Sequence, residues 1–481
     1  MHYLSNFFNF LKNIRPIIND IAQSGGTPYL VGGCVRDLVL KRDLKDFDIE
    51  VHGLALEELQ NIVEKYGPVR LVGKQFGVLR VDGIDADWSL PRKDSKGRKP
   101  MVLIDEHMTI QQAAKRRDVT MNAMALDLQL IADTWVDDAD AGSKITQLII
   151  DPCGGLQDMQ QRRLRAVDAH LFTQDPLRFF RVMQFVARFE MQPDDELNDV
   201  CRNMVLRDTH LDVPLARERV ADEIKKLFLK SHKPSRGFVW LKNLGRLGEI
   251  FPELDHLVGV KQKPEYHPEG DVFVHTMQVI DAVARYQDYQ EGSWGSAEYE
   301  KFILSLAALC HDVGKATATR ADLTSYGHAE EGVPLAKSLL RRMTNDLRAI
   351  DMVLLLVKYH MLPFGFLREK ASHRSYKRLA IKISPLLTLR QLGLVALFDA
   401  QGRNGKSDEP LNDFYEDFEK FMMHARDAAV AQGPEEPVLL GRHLMDIVQP
   451  GPQMGVLLKK AYDIQIDEGI RDVEVLKKRV L

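Results

Sequence analysis

Apolar positions change their spacing near residue 150, and that change organises the whole chain. Before it, short apolar runs alternate with polar breaks: Tyr29-Leu30-Val31 ends in Gly32-Gly33, and Phe47-Asp48-Ile49-Glu50-Val51 follows a helical stretch from Val35 to Leu40. Further strands are expected at Val69–Val72, Val78–Val81 and Asp85–Leu90, which together make a small mixed sheet. From about Asp151 onward apolar residues recur every three or four positions, as in Pro176–Phe189 and Ala216–Leu229, and strand signals nearly vanish. Pro, Gly and charge gather at Lys261–Gly270, and Gly433-Pro434-Glu435-Glu436-Pro437 reads as a polar linker to a small tail. The expected division is 1–150, an α+β head; 151–260, a helical neck and body; 261–430, a second helical domain; and 431–481, a helical tail.

At 481 residues, with 45% hydrophobic and 28% charged content, the chain is large enough for several globular domains. No run of eighteen apolar residues occurs, and Met1–Ile21 mixes Asn, Lys, Arg and Asp into its aromatic stretch, so neither a membrane span nor a secretory signal is expected. The expected location is the cytoplasm. Four scattered cysteines (Cys34, Cys153, Cys201, Cys310) without a C-x-x-C pair argue for reduced thiols rather than a disulfide framework or a zinc ribbon. A net charge of −4 puts any nucleic-acid contact on local basic patches. Arg92, Lys93, Lys96, Arg98 and Lys99 crowd one loop, and Arg162, Arg163 and Arg165 open what reads as a helical region; from charge alone both read as solvated faces.

Asp46 and Asp48 stand two apart in an apparent strand, where side chains i and i+2 share a face, so both carboxylates can grip one metal pair. Hard oxygen donors at this spacing suit Mg²⁺, and two ions roughly 3.5–4 Å apart would activate a hydroxyl and hold a triphosphate for in-line displacement. Asp87, from a neighbouring strand, is the candidate third carboxylate. Upstream, Gly32-Gly33 lets the backbone approach a phosphate, with the following helix N-terminus and Arg36 turned to the anion. A lone D-x-D is usually surface acid and a lone Gly-Gly usually a turn; it is their order along the chain that is specific.

Leu30-Val31-Gly32-Gly33-Cys34-Val35-Arg36-Asp37 followed by Asp46-Phe47-Asp48 resembles the head motif of the class II tRNA nucleotidyltransferase and poly(A) polymerase family. Arg116-Arg117-Asp118-Val119-Thr120-Met121-Asn122-Ala123-Met124 is similar to its R-R-D-x-T-x-N-A segment, and Asp151-Pro152-Cys153-Gly154-Gly155-Leu156-Gln157-Asp158 to its hinge element. Asp175-Pro176-Leu177-Arg178-Phe179-Phe180-Arg181 resembles the E-D-x-x-R element, and Glu218-Arg219-Val220-Ala221-Asp222-Glu223 the supporting E-R-x-x-x-E helix. The resemblance implies a polymerase beta-like head in which Gly32, Gly33, Arg36, Arg117 and Arg181 hold the triphosphate. It further implies that Asp118 and Asn122 distinguish ribose, and that Asp175 and Arg178 recognise the base in place of a template. Asp175 and Arg178, three apart, are expected on one helical face, where they present acceptors and donors together. Two positions depart from the family pattern: Gln174 stands where Glu is usual, and Gln184 where many members place Arg.

In the third segment His275, His311-Asp312, His328, His360 and Asp399 fall on or beside helices, and His311-Asp312-Val313-Gly314-Lys315 resembles the HD phosphohydrolase superfamily. Adjacent His and Asp can share a divalent transition metal when further ligands converge. His267, His373, His424 and His443 read as structural or solvent-exposed. Leu439–Leu444 and Pro450–Gly455 also resemble the family's tail. The expectation is an enzyme adding CMP and AMP from CTP and ATP to the tRNA 3′ end, with pyrophosphate released. A poly(A) polymerase or a partial CC- or A-adding enzyme is the rival within the family; Arg116-Arg117-Asp118 lacks the insertion associated with the poly(A) branch. The rival from another class is an HD phosphohydrolase with a nucleotide-binding head. Oligomeric state is left open.

Overall fold

A computed structural model describes residues 2–44, 46–72, 77–94, 102–134, 141–208, 213–292 and 294–481. The chain forms two compact units, Met1–Val220 and Ala221–Leu481.

The first unit is built on a sheet of seven strands: β1 (Thr27–Val31), β2 (Phe47–His52), β3 (Val69–Val72), β4 (Val78–Val81), β5 (Ala86–Ser89), β6 (Ala125–Asp127) and β7 (Ile149–Ile150), in the order β3-β4-β5-β2-β1-β6-β7. The β2–β5 pair is parallel and the others are antiparallel, which makes the sheet mixed. Helix α1 (His2–Gln23) buries Phe7, Leu11, Ile14, Ile17, Ile18 and Ile21, the apolar stripe of an amphipathic helix. Its Phe10 ring stacks on Phe47 of β2 with centroids 3.5 Å apart, so the residue between the two candidate carboxylates anchors the strand from behind. Helix α2 (Gly33–Val39) follows β1, and helix α3 (Leu177–Phe189) buries Phe179, Phe180, Val182, Met183, Val186 and Phe189.

The second unit is built from helices joined by loops, with no strand among its described residues. Helices α4 (Val272–Arg285), α5 (Ala297–Cys310), α6 (His328–Met343), α7 (Leu347–Tyr359) and α8 (Leu389–Gln401) form its centre, with α4 packed on α5 and α8, and α6 on α7. Leu347–Arg368, with mean hydropathy 1.5, is long and apolar enough to cross a membrane by length and composition alone. It is nonetheless two helices, broken at His360–Met361, and it buries Val353, Leu356 and Val357 in the unit's core.

Two expectations change. Arg163 lies in a two-residue strand and Arg162 has a positive φ of 52°, so this basic cluster does not open a helix. Arg163 and Arg165 are instead bound to Asp158, a carboxylate with no exposed surface. The segment around Glu435 is not a free tether either: Glu435 is 7% exposed, paired with Lys377 and hydrogen-bonded by Gln465 Nε2 at 2.9 Å. Burying a carboxylate is tolerable because a cation and an amide meet it.

Candidate functional site

Gly32 has φ +73° and ψ −132°, a conformation open only to glycine, and a Cβ there would lie 3.0 Å from the Arg117 guanidinium. The turn therefore serves the close approach of Arg117 as well as the entry into α2. Two residues on, the Cys34 thiol donates to the Asp46 carbonyl at 2.6 Å and accepts from the Asp48 N–H at 3.4 Å, tying the start of α2 to the start of β2. Burial, with the Asp48 charge second, pushes that thiol up to about 12, so it remains protonated and able to donate.

Asp46 and Asp48 are both exposed, with Phe47 buried between them, as the alternation requires. Asp87 of β5 is the register partner of Asp48 across the parallel pair, so the third expected carboxylate stands beside the second. Desolvation, then the Asp87 and Asp46 charges, outweigh Arg117 and lift the Asp48 carboxyl above its ordinary range. Clustered acids that repel one another are what a cation would relieve. Arg80 of β4 pairs with Asp87, one Nη2–Oδ2 contact being 2.9 Å. Asp48 and Asp87 line a cavity of ≈ 160 Å³ whose wall also includes Arg92, Arg116 and Arg117. Of the basic loop, Arg92 reaches this cavity; the Lys93 side chain and Lys96, Arg98 and Lys99 lie outside the described residues.

Glu50 was not among the expected site residues, although it continues the 46–48–50 alternation. It is 1% exposed, accepts from Arg116 Nη2 at 2.8 Å, lies 3.5 Å from Arg117 Nη2, and contacts His52 Nε2 at 3.0 Å. His52 is braced in turn by the Met108 carbonyl at 2.8 Å. Burial alone would raise the Glu50 carboxyl, but the His52 contact and the charges of Arg117 and Arg116 hold it at about 2. Because its folded value lies below the ordinary 4.5, Glu50 contributes stability that is fully present above about pH 4.5 and is lost as pH falls toward 2. That contribution is on the order of 3 kcal/mol. Glu50→Gln is therefore expected to lower the urea midpoint at pH 7 and to flatten its decline between pH 5 and 3; an unchanged slope would refute the assignment.

The other expected nucleotide ligands form one connected network. Asp118 accepts from Arg181 Nε at 2.6 Å and from Asn122 Nδ2 at 2.9 Å, while Asn122 Oδ1 accepts from Arg36 Nη1 at 2.6 Å. Arg36 also pairs with Asp37 and lies 4.5 Å over the Phe189 ring. Although burial opposes it, Arg181 and these hydrogen bonds hold the Asp118 carboxyl at about 2. Asp175 and Arg178 correct the one-face expectation. Asp175 precedes α3, capping the Leu177 N–H at 3.1 Å and pairing with Arg219 Nη2 at 3.0 Å, whereas Arg178 donates to the Leu171 and Arg116 carbonyls, each at 2.8 Å. Pro176 puts the break between them, since a proline at a helix start leaves the preceding residue extended. Arg219 was expected only as part of a supporting helix, yet it is the direct partner of Asp175. Gln184 is buried, and its Nε2 has no hydrogen-bond partner among the described residues.

In the second unit His275, His311, Asp312, His328, His360 and Asp399 converge. His311 and His360 are the residues that end α5 and α7, His328 begins α6, and His275 and Asp399 lie within α4 and α8. Burial and the neighbouring His311 push His360 down to about 3, so it stays neutral, the form that ligates metals. His267 is not the isolated structural histidine expected: its Nδ1 lies 2.9 Å from Glu269 Oε1, the same oxygen that meets His275 Nδ1 at 2.7 Å. No motif spacing marked Glu269. Gly314 packs so closely that a Cβ there would sit 2.0 Å from the His328 carbonyl and 2.6 Å from the Gly332 nitrogen. Gly314→Ala must displace the start of α6, and is expected to cost about 3 kcal/mol or more. Calorimetry reads this as a drop in the second unit's transition; a wild-type profile would contradict the packing.

Residues 28–165 match the family model for the Poly A polymerase head domain, and residues 272–381 match the HD domain. The multifunctional CCA protein of Methylobacillus flagellatus is 37% identical over 338 residues, covering 69% of this chain and 73% of that protein. The protein of the same name from Acidovorax sp. (strain JS42) is 30% identical over 441 residues, covering 90% and 94%. The fold is similar to the Bacillus stearothermophilus CCA-adding enzyme in complex with CTP, at TM-score 0.62, 18% identity and 97% of each chain. It is also similar to the Thermotoga maritima CCA-adding enzyme complexed with tRNA, at TM-score 0.56, 18% identity, and 98% and 94% coverage. With relatives at 30–37% identity covered over 73% and 94% of their length, the chain belongs to the multifunctional CCA protein family.

Proposed function

We infer that this protein adds CMP and AMP from CTP and ATP to the 3′ hydroxyl of tRNA without a nucleic-acid template, releasing pyrophosphate. The observation that carries the reading is the acidic cluster of Asp46, Asp48 and Asp87 beside Arg117 on the Gly32 turn, with Asp48 and Asp87 in register on paired strands. The family implies a divalent metal, and three carboxylates with no nitrogen or sulfur donor fit Mg²⁺. When bound, such ions supply the charge that activates the hydroxyl and neutralises the triphosphate. Asp46, Asp48 and Asp87 hold the metal, and Gly32, Gly33, Arg36, Arg117 and Arg181 bind the triphosphate. Asp118 and Asn122 meet the ribose, while Asp175 and Arg178 select the base. Arg116 and Glu50 keep Arg117 in place. The functional division is a head to residue 150, a recognition neck and body to 260, an HD-like domain to 430 and a tail. Addition to tRNA suits a cytoplasmic location.

The His/Asp cluster of the HD-like domain supports metal-dependent hydrolysis of phosphate esters as a second activity. Its donors are imidazole-rich, which suits a transition metal rather than Mg²⁺. Incubation with tRNA trimmed to each 3′ end, giving one nucleotide at a time, tests the main reading. Sequential C, C and A incorporation is expected; AMP runs indicate a poly(A) polymerase, and no incorporation indicates a binding-only head.

A further inference from the structure

Six side chains of the first unit close a circuit. Arg181, on α3, donates to Asp118; Asp118 also accepts from Asn122, and Asn122 accepts from Arg36. Arg36 grips its neighbour Asp37 with two parallel bonds, Nε to Oδ1 at 2.8 Å and Nη2 to Oδ2 at 2.9 Å. Arg188 Nη2 returns to Asp37 Oδ2 at 3.4 Å. Arg188 lies two turns beyond Arg181 on the same helix, so α3 shuts the ring that began on it.

The Asn122 amide has two ways to sit, and its partners decide between them. Its Oδ1 faces Arg36 Nη1 at 2.6 Å and its Nδ2 faces Asp118 Oδ1 at 2.9 Å. A guanidinium only donates and a carboxylate only accepts, so a flipped amide would set donor against donor and acceptor against acceptor. Asn122 is 4% exposed, and water would not relieve that mismatch. Held this way, the amide keeps one N–H on Nδ2 and one lone pair on Oδ1 for a further partner. A sugar hydroxyl, itself donor and acceptor, matches that pair; a 2′-hydrogen matches neither.

Arg36 can fix the amide only because it is fixed in turn. Asp37 sets the plane of the guanidinium, and the Phe189 ring lies against it, 4.5 Å from carbon to centroid. Asp37 and Asn122 take three of its five N–H groups. One on each Nη remains for a phosphate oxygen, so a triphosphate contact and the grip on Asn122 do not compete.

We propose that Arg36 and Asp37 are positioning residues for sugar selection, holding the Asn122 amide in the orientation that separates a ribonucleotide from its 2′-deoxy analogue. The proposal rests on reading Asn122 as a ribose contact, and one pair of variants separates the two. The quantity measured is the ratio of kcat/KM for ATP to that for dATP on tRNA ending in CC, with the full-length protein. Asn122→Ala is expected to lower the ratio if the ribose reading holds. Asp37→Asn removes the bidentate grip and touches no assigned substrate contact, and it is expected to lower the ratio roughly tenfold, the worth of one well-aligned hydrogen bond. Should Asp37→Asn fail to fold, Arg36→Gln takes its place, since a second amide can meet Asn122 either way round. A merely structural role, or a phosphate contact alone, would reduce ATP and dATP use in parallel. A wild-type ratio in Asp37→Asn or its substitute, with a lowered one in Asn122→Ala, overturns the positioning role while the ribose contact stands. A wild-type ratio in Asn122→Ala overturns both. If the unaltered protein adds neither nucleotide, the function proposed above fails and this assignment with it.

Discussion

Asp48→Ala is expected to abolish CMP and AMP incorporation into trimmed tRNA while the protein melts at the wild-type temperature or slightly above it. Asp48 faces solvent, so its removal opens no cavity in the core. Its carboxyl is lifted by desolvation and by the Asp87 and Asp46 charges, which means it strains the metal-free fold and is retained at a cost. On the proposed role of Asp48, losing one metal carboxylate forfeits several kcal/mol of charge stabilisation in the transition state, a fall of roughly a thousandfold or more in kcat. Labelled CMP incorporation under single-turnover conditions, with tRNA binding measured in parallel, separates chemistry from folding. Incorporation within tenfold of wild type would remove Asp48 from the metal site. Arg80→Ala gives the converse control. It frees Asp87 of its ion pair and leaves all three carboxylates in place, so addition should persist with an altered Mg²⁺ requirement.

What could be read from the sequence was what depends on neighbours along the chain. Asp46 and Asp48 were legible because extended-chain alternation alone puts them on one face; in the structure Asp46 immediately precedes β2, and both are exposed on either side of the buried Phe47. Asp87 was legible because a second acidic strand lay close by, although its pairing with Asp48 depends on a parallel register that no local pattern encodes. The seven-stranded order, in which β5 docks on β2 and β6 on β1, is similarly non-local. Glu50 was passed over because a carboxylate among Ile and Val reads as a polar interruption of a strand; only the arrival of Arg116, 66 residues later, makes it an anchor. Glu269 was hidden for the same reason: His275 stood out in the sequence, but its contact with Glu269 arises only once helix α4 has turned the imidazole inward. Asp175 and Arg178 failed in a different way. Three-residue spacing implies a shared face only inside a helix, and Pro176 places the helix start between them.

That correction sharpens the selectivity question, because Arg178 has two available roles. Its Nη1 and Nη2 brace the Leu171 and Arg116 carbonyls, the second adjacent to Arg117, a geometry that suits a scaffold for Arg117 as well as the proposed reader of the base edge. The two roles differ in what they do to the four nucleotides. Phosphate contacts bind every nucleotide alike, whereas base contacts discriminate. Arg117→Ala is therefore expected to lower kcat/KM for CTP and ATP together, on the order of a hundredfold, since it removes a preorganised donor to developing charge. Arg178→Ala is expected to narrow the preference for CTP and ATP over UTP and GTP by roughly 5- to 150-fold, the equivalent of about 1–3 kcal/mol for one bidentate base contact. Asp175→Asn should narrow the same preference, because Asp175 is held by Arg219 rather than by Arg178 and can present its remaining acceptor capacity independently. The measurement is kcat/KM for all four nucleotides on tRNA ending before and after the two cytidines. If Arg178→Ala lowers all four values in parallel while Asp175→Asn alters only their ratio, Arg178 is the brace of the Arg116–Arg117 turn and base recognition belongs to Asp175 without it.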